Sequence, residues 1–315
     1  MSAQSISVLD LSDFTAGGVS REAFVRDLGE ALQNLGFFVL VNHGVEQRLI
    51  DSAYSAAEAF FALSEPAKLR YELADSHGQR GFIRFGREHA KDQPAPDLKE
   101  FWHIGREPAA QPSTTDLINI WPKEVPQFRP VMQALYQQLE ICATHLLAAC
   151  ARYLEQPSDF FAAQAQEGNT LLRVIHYPPI PPEVEPDRLR AAPHEDINLI
   201  TLLCEATTPG LELLRPDGTW LPVAADPGQI VVDTGDMLQA LSNGLLKSTT
   251  HRVANPANSR DRRFSMPFFV HPRPDFDLTP RPECVARTGG RVSFPTQTAG
   301  EYLGRRLAEI GLARE

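Results

Sequence analysis

The sequence is poor in cysteine, in basic charge and in long apolar runs, and each shortage removes a class of protein. Four cysteines, at positions 142, 150, 204 and 284, occur among 315 residues, and none belongs to a C-x-x-C pair. The usual zinc-ribbon and dithiol signatures are therefore absent. Cys142 and Cys150 lie eight residues apart on one predicted helix. That is about 12 Å along its axis, beyond the ~7 Å that a disulfide spans. Buried, reduced thiols in a cytoplasmic protein are the expectation. Lys and Arg number 30 against 40 Asp and Glu, a formal net charge of -10. A chain that repels polyanions is not expected to have a nucleic-acid partner. No run approaches the ~20 apolar residues that cross a bilayer, and Met1 to Asp10 has neither a basic n-region nor an apolar h-region. Neither export nor membrane association is expected.

What is present divides into two textures. The first third reads α/β. Phe24, Leu28, Ala31, Leu32 and Leu35 recur at helical spacing, with Gly36 placed to close the helix in a left-handed conformation. Phe37 to Val41 is a continuous apolar run, predicted as a buried strand, and a second helix is predicted from Gln47 to Leu63, stopping before Pro66. Residues 70 to 125 read as long loops with one or two short strands. A long helix follows from Pro126 to Leu154, with Pro130 free to kink it or delay its start.

From Thr170 onward the pattern is short strands between turns. Strands are predicted at Leu171 to Tyr177, Ile197 to Leu203, Leu211 to Leu214, Trp220 to Val223, Ile230 to Val232, Lys247 to Val253 and Arg263 to Val270. Pro216-Asp217-Gly218 supplies a turn between the third and fourth. This spacing predicts a sandwich or barrel. Thr298 and Glu301 form a capping box for a last helix.

The chemistry concentrates at His194-Glu195-Asp196 and a later His251. In a strand, His194 and Asp196 would project from one face. Two imidazoles and a carboxylate on one face of an octahedral ion leave three positions open, the arrangement of non-haem Fe(II) oxygenases. The bare motif is weak. Nine histidines and forty acidic residues in 315 produce about one His-x-acid by chance, and His194 is the one instance. A hydrogen-bonded core histidine fits the triplet equally well. Arg263 and Ser265 are two apart in a predicted strand, so a guanidinium fork and a hydroxyl share a face and can bind a carboxylate. The competing reading puts Arg263 in a solvated basic cluster with Arg260 and Arg262.

The ordered set Tyr177-Pro178-Pro179, His194-x-Asp196, His251-Arg252-Val253 and Arg263-x-Ser265 resembles the isopenicillin N synthase-like family of Fe(II)/2-oxoglutarate oxygenases. So do Gly36-Phe37-Phe38, Asn42-His43-Gly44, Asp97-Leu98-Lys99-Glu100, Asn119-x-Trp121-Pro122, Gly235-Asp236, Ser242-Asn243-Gly244 and Lys247-Ser248-Thr249. The likeness runs over residues 6 to 275. It implies an α+β fold, a double-stranded β-helix (jelly-roll) core with supporting helices from the N-terminal half. The implied division is an α/β region at 1–120, a backing helix at 121–168, the catalytic jelly roll at 169–275 and an extension at 276–315, working as one unit.

By the same resemblance, His194, Asp196 and His251 hold Fe(II), Arg263 and Ser265 bind the C5 carboxylate of 2-oxoglutarate, and Tyr177 reaches the co-substrate. The gap from His251 to Arg263 is twelve residues, longer than is usual in the family, and leaves Arg262 as second choice. The implied activity is O2-dependent hydroxylation of a small molecule, with release of succinate and CO2. An oxidase on the same fold that needs no 2-oxoglutarate, and a non-enzymatic carboxylate-binding protein, remain as alternatives. Of the remaining conspicuous residues, His43 reads as a turn residue and His176 as structural. Trp102 and His103 suit a substrate pocket or the core, and substrate contacts are expected around Phe82 to Phe85 and Trp102.

Overall fold

The computed structural model describes residues 6–73, 76, 78–91, 95–107, 117–184, 188–256 and 261–312. The chain opens with β1 (Ser7–Asp10), α1 (Leu11–Ala16), α2 (Gly18–Asn34), β2 (Phe37–Val41), α3 (Gln47–Phe61) and α4 (Glu65–Leu69). β3 (Gly81–Ile83), β4 (Glu100–Gly105), α5 (Phe128–Tyr153) and α6 (Phe160–Gln166) follow. The strand-rich part comprises β5 (Leu171–Tyr177), β6 (Ala191–His194), β7 (Ile200–Cys204), β8 (Leu211–Leu214), β9 (Trp220–Pro222) and β10 (Ile230–Thr234). α7 (Asp236–Leu241), β11 (His251–Val253), β12 (Arg263–Ser265), β13 (Pro267–Val270), α8 (Pro282–Arg287) and α9 (Ala299–Glu309) complete it.

The strands form two sheets. The larger runs β1-β2-β10-β7-β13-β5-β4-β3, with β12 also on β5; the smaller runs β6-β11-β8-β9. Alternation along the central strands buries both faces. Phe37, Val39 and Val231 point toward Leu211, Leu213 and Val223 of the smaller sheet's side. Their neighbours Phe38, Leu40, Ile230 and Val232 point the other way, into a core with α2, α3 and α5. The 26-residue α5 is long enough, at ~1.5 Å per residue, to back the whole sheet. No helix among the described residues is long and apolar enough to cross a membrane.

Most strands fall where their patterns predict, with physical exceptions. Pro66 does not merely end a helix; it sits in the first turn of α4, where its missing N–H costs nothing. Pro130 likewise falls within the first turn of α5 and leaves the helix unbroken. β4, inside a segment read as mostly loop, is a fully buried strand of six residues. The predicted strand at 197–203 starts later, at Ile200, and the one at 247–253 is only His251–Val253. The run from Arg263 to Val270 breaks at Met266, because β12 pairs with β5 alone while β13 bridges β5 and β7. The four cysteines are free and buried, and the Thr298–Glu301 capping box is formed on α9.

Candidate active site

His194 and His251 come from neighbouring antiparallel strands, paired directly across β6 and β11. Asp196 arrives differently from the expectation of strand alternation. β6 ends at His194, and Asp196 lies in the turn beyond it. That turn is pinned by the start of α7: the Asp236 N–H donates to Asp196 O at 2.7 Å, and the Gly235 N–H to Leu199 O at 3.0 Å. Gly235 has to be glycine here, since a Cβ would sit 2.2 Å from Asn198 O. The Gly235-Asp236 pair thus shapes the loop that presents a carboxylate.

His251 is steadied from another direction. Gly36, at φ +71°, lets the 247–249 segment cross so closely that a Cβ would meet Lys247 O at 2.3 Å. The Lys247 N–H donates to Leu32 O at 3.1 Å, and Thr249 Oγ1 to Leu35 O at 2.9 Å. Phe37 then packs its ring edge against His251, centroids 5.4 Å apart. Sequence motifs far apart in the chain meet at this one crossing.

The three side chains converge. Nε2 of His194 is 4.0 Å and Nε2 of His251 is 3.7 Å from Asp196 Oδ1, and one donor atom from each residue lies within 4.8 Å of the others. Nδ1 of His194 contacts Ala192 O at 2.7 Å, and Nδ1 of His251 contacts Thr249 O at 3.1 Å. A carbonyl only accepts, so each Nδ1 carries the proton and each Nε2 offers its lone pair. Thr201 Oγ1 donates to the other Asp196 oxygen. Burial, reinforced by the neighbouring His251, lowers the His194 pKa to about 4, so the ring is neutral near pH 7. Burial and the Asp196 charge push Asp233 well above the usual carboxylate range. Two neutral imidazole nitrogens and one carboxylate oxygen form a donor set that fits an Fe(II) ion.

Two spaces flank the triad. The first, of about 550 Å³, is lined by His194, Asp196, His251, Tyr177, Arg263 and Ser265. Arg263 is 1% exposed and Ser265 3%. Arg263 stands opposite Tyr177 on β5, its guanidinium carbon 5.1 Å from the ring centroid. Its Nε donates to Thr208 O at 3.0 Å, while the buried Nη1 has no protein acceptor. A buried guanidinium nitrogen without a partner fits a carboxylate that the pocket receives from outside. Arg262 is exposed and does not line this space, and Arg260 lies outside the described residues.

The second space, a cleft of about 750 Å³, shares His194 and Asp196 with the first and is walled by Leu171, Phe269 and His271, with Leu303 and Leu307 of α9. Sequence reasoning missed this C-terminal wall, which belongs to the segment read only as an extension. It also missed a buried charge cluster. Lys99 Nζ lies 2.7 Å from Glu88 and 2.8 Å from Asp97, and Arg173 grips Glu88 through two 3.0 Å hydrogen bonds. Burial alone would raise the Glu88 pKa, but Arg173 and Lys99 hold it well below the carboxylate range. The alternating charges of Asp97-Leu98-Lys99 were the available signal.

Other expectations sort cleanly. Phe82 and Trp102 pack in the helical core instead of lining the cleft, because β3 and β4 turn those faces toward α3 and α5. His103 does line it. His43 closes a turn, accepting from the Val45 N–H at 3.1 Å. His176 is structural, bonded to Glu100 at 2.8 Å and stacked on Phe264.

The chain matches two family models. Residues 6–124 match the N-terminal region described from a non-haem dioxygenase in morphine synthesis, and residues 169–272 match the 2OG-Fe(II) oxygenase superfamily. A proline hydroxylase of Petromyces alliaceus, buaE, is 32% identical over 288 residues, 86% of this chain and 88% of that one. A 2OG-Fe(II) oxygenase family protein from Caulobacter crescentus superposes with a TM-score of 0.85 at 39% identity, covering 98% of this chain and 99% of its own. A full-length Neurospora crassa protein, solved in complex with alpha-KG and thymine, gives a TM-score of 0.85 at 27% identity over 96% of each chain. A jelly roll that gathers two imidazoles and a carboxylate, matched along nearly its whole length, places this chain in the family of 2OG-Fe(II) oxygenases.

Proposed function

We propose that the protein hydroxylates a small molecule, using Fe(II), 2-oxoglutarate and O2 and releasing succinate and CO2. One observation carries the reading: the His194–Asp196–His251 cluster lines one space that ends in a buried, under-bonded Arg263, and through His194 and Asp196 it borders the other. In this reading the three residues hold the metal by His194 Nε2, Asp196 Oδ1 and His251 Nε2. Arg263 and Ser265 bind the distal carboxylate of 2-oxoglutarate, and Tyr177 forms the wall beside it. Bound Fe(II) supplies the oxygen chemistry, coupling oxidation of the co-substrate to oxidation of the substrate.

The protein's own work is placement and exclusion of water. Arg263 sets the co-substrate's direction by a fixed fork that tolerates little rotation. Backbone carbonyls at Ala192 and Thr249 keep both histidines in the metal-binding tautomer. The substrate occupies the cleft beneath α9, where Leu171, Phe269, Leu303 and Leu307 offer apolar contact. The acidic net charge of -10 fits a small-molecule partner better than a nucleic acid. Four buried thiols without a disulfide fit a reducing cytoplasm.

Succinate release tests the reading. Fe(II)-loaded protein, supplied with 2-oxoglutarate, O2 and fractionated metabolites, is expected to form succinate in step with a product that has gained one oxygen atom. Asp196→Ala is expected to form none. Oxidised product without succinate would point to an oxidase that does not use 2-oxoglutarate, and failure to bind Fe(II) in an anaerobic titration would favour a carboxylate-binding role.

A further inference from the structure

The two histidines are supported unequally. His251 is walled by Phe37 and its side chain is 10% exposed, whereas the His194 side chain is 29% exposed. His194 also ends its strand, next to an irregularity. β6 pairs with β11 at His194–His251 and again at Ala191–Val253, so β6 carries one extra residue between these pairs. The ladder is therefore broken across Ala192 and Pro193, and Pro193 has no N–H to contribute. Something outside the ladder has to fix the Ala192 peptide.

Asp97 occupies that position. Its Oδ1 accepts the Ala192 N–H at 3.0 Å, and its Oδ2 pairs with Lys99 Nζ at 2.8 Å. From the other end of the same residue, Ala192 O accepts Nδ1–H of His194 at 2.7 Å. Asp97 and Lys99 are 3% and 6% exposed. Lys99 is in turn anchored by Glu88, which Arg173 grips from β5. The segment is tied to its surroundings by Asp97 N–H to Glu88 O at 3.0 Å and Leu98 N–H to Leu189 O at 3.2 Å. A path of hydrogen bonds, joined through the backbone of Ala192, thus runs from the buried ion-pair cluster of Glu88, Asp97, Lys99 and Arg173 to one imidazole of the triad.

We infer that Asp97, held in place by Lys99, is the positioning residue for His194, fixing the Ala192 backbone at its N–H so that the carbonyl of the same residue orients the ring and aims Nε2 at the shared ion. The inference rests on the metal-site reading proposed above. It assigns a role to Asp97-Leu98-Lys99, whose Lys99 also lines the space beside Arg263. Outer partners of this kind set ligand orientation, and removing one typically weakens metal binding about 10- to 100-fold. Asp97 and Lys99 also line the cleft beneath α9, but the route from Asp97 to the metal ligand runs through Ala192.

Co(II) chloride is the probe, titrated into the full-length protein while the d–d absorption bands are recorded. Asp97→Ala is expected to weaken Co(II) binding by about 10- to 100-fold and to alter the band shape, which reports ligand geometry. Asp97→Asn keeps an oxygen for the Ala192 N–H and is expected to recover most of the affinity. Lys99→Met tests the same path without opening a cavity at Asp97 and is expected to show the same spectral change with a smaller loss. Leu146→Ala, a core truncation in α5, is expected to lower the melting temperature while leaving affinity and bands unchanged, so general destabilisation is told apart. Parent-like affinity and bands in both Asp97→Ala and Lys99→Met would overturn the inference. If instead the parent protein bound no Co(II), or Asp196→Ala bound it equally well, the metal-site reading itself would fail.

Discussion

His194 and His251 stand opposite each other on adjacent antiparallel strands, their ring centroids 4.5 Å apart. Two imidazolium ions so close would repel, and burial with the neighbouring His251 keeps the His194 ring from protonating near pH 7. A cation placed between the two Nε2 atoms and Asp196 Oδ1 converts the crowding into chelation. The relationship organises the site, and several expected outcomes derive from it and from the elements behind it.

Arg263→Met is expected to raise the Kd for 2-oxoglutarate while leaving Fe(II) affinity intact. Hydrogen bonds to a charged group contribute about 1.5–3 kcal/mol, so the loss should be about 10- to 100-fold. Arg262→Met, at an exposed position, is expected to change neither value. Anaerobic titration of both variants checks this, and equal weakening in the two would place the carboxylate elsewhere.

Gly36→Ala is expected to damage fold and site together. The position has φ +71°, and an added Cβ would lie 2.3 Å from Lys247 O. Left-handed backbone strain and overpacking together are expected to remove about 2–4 kcal/mol. Because the displaced segment carries Thr249, whose carbonyl orients His251, metal affinity should fall as well. Urea unfolding and Fe(II) titration measure the two effects separately.

Acid should destabilise the metal-free protein partly through His271. Burial lowers its pKa to about 4 from an ordinary 6.5. The unfolded chain therefore binds a proton there between pH 6.5 and 4 that the folded chain does not, so stability is fully present above pH 6.5 and is lost as pH falls toward 4. The contribution is about 3 kcal/mol. Urea midpoints measured at pH 7 and pH 4.5 should differ less for His271→Gln than for the parent, and an unchanged difference would assign the acid sensitivity to other groups.

The parts of the fold that were legible in the sequence are those where one local rule dominates. β2 is an apolar run that follows Gly36, β5 is a strand ended by Pro178-Pro179, and α9 announces itself through Thr298 and Glu301. Hidden features depend on partners distant in sequence. β6 is four residues of Ala-Ala-Pro-His, with no strand propensity of its own, and exists because β11 pairs with it. Asp196 lies outside the strand because α7 captures its loop, and no periodicity encodes that. Residues of the cleft wall on α9 look like an ordinary amphipathic surface until the helix docks. Phe82 and Trp102 show the converse: aromatics near a site in sequence that the sheet turns into the core.

The central claim is that His194, Asp196 and His251 hold one Fe(II) with room left for 2-oxoglutarate. Anaerobic addition of Fe(II) and then 2-oxoglutarate, followed by visible absorption, tests it most directly. A metal-to-ligand charge-transfer band is predicted in the parent protein and in Leu146→Ala, with none in Asp196→Ala. A parent protein that shows no band at saturating Fe(II) and 2-oxoglutarate, or an Asp196→Ala variant that shows the parent's band, would contradict it.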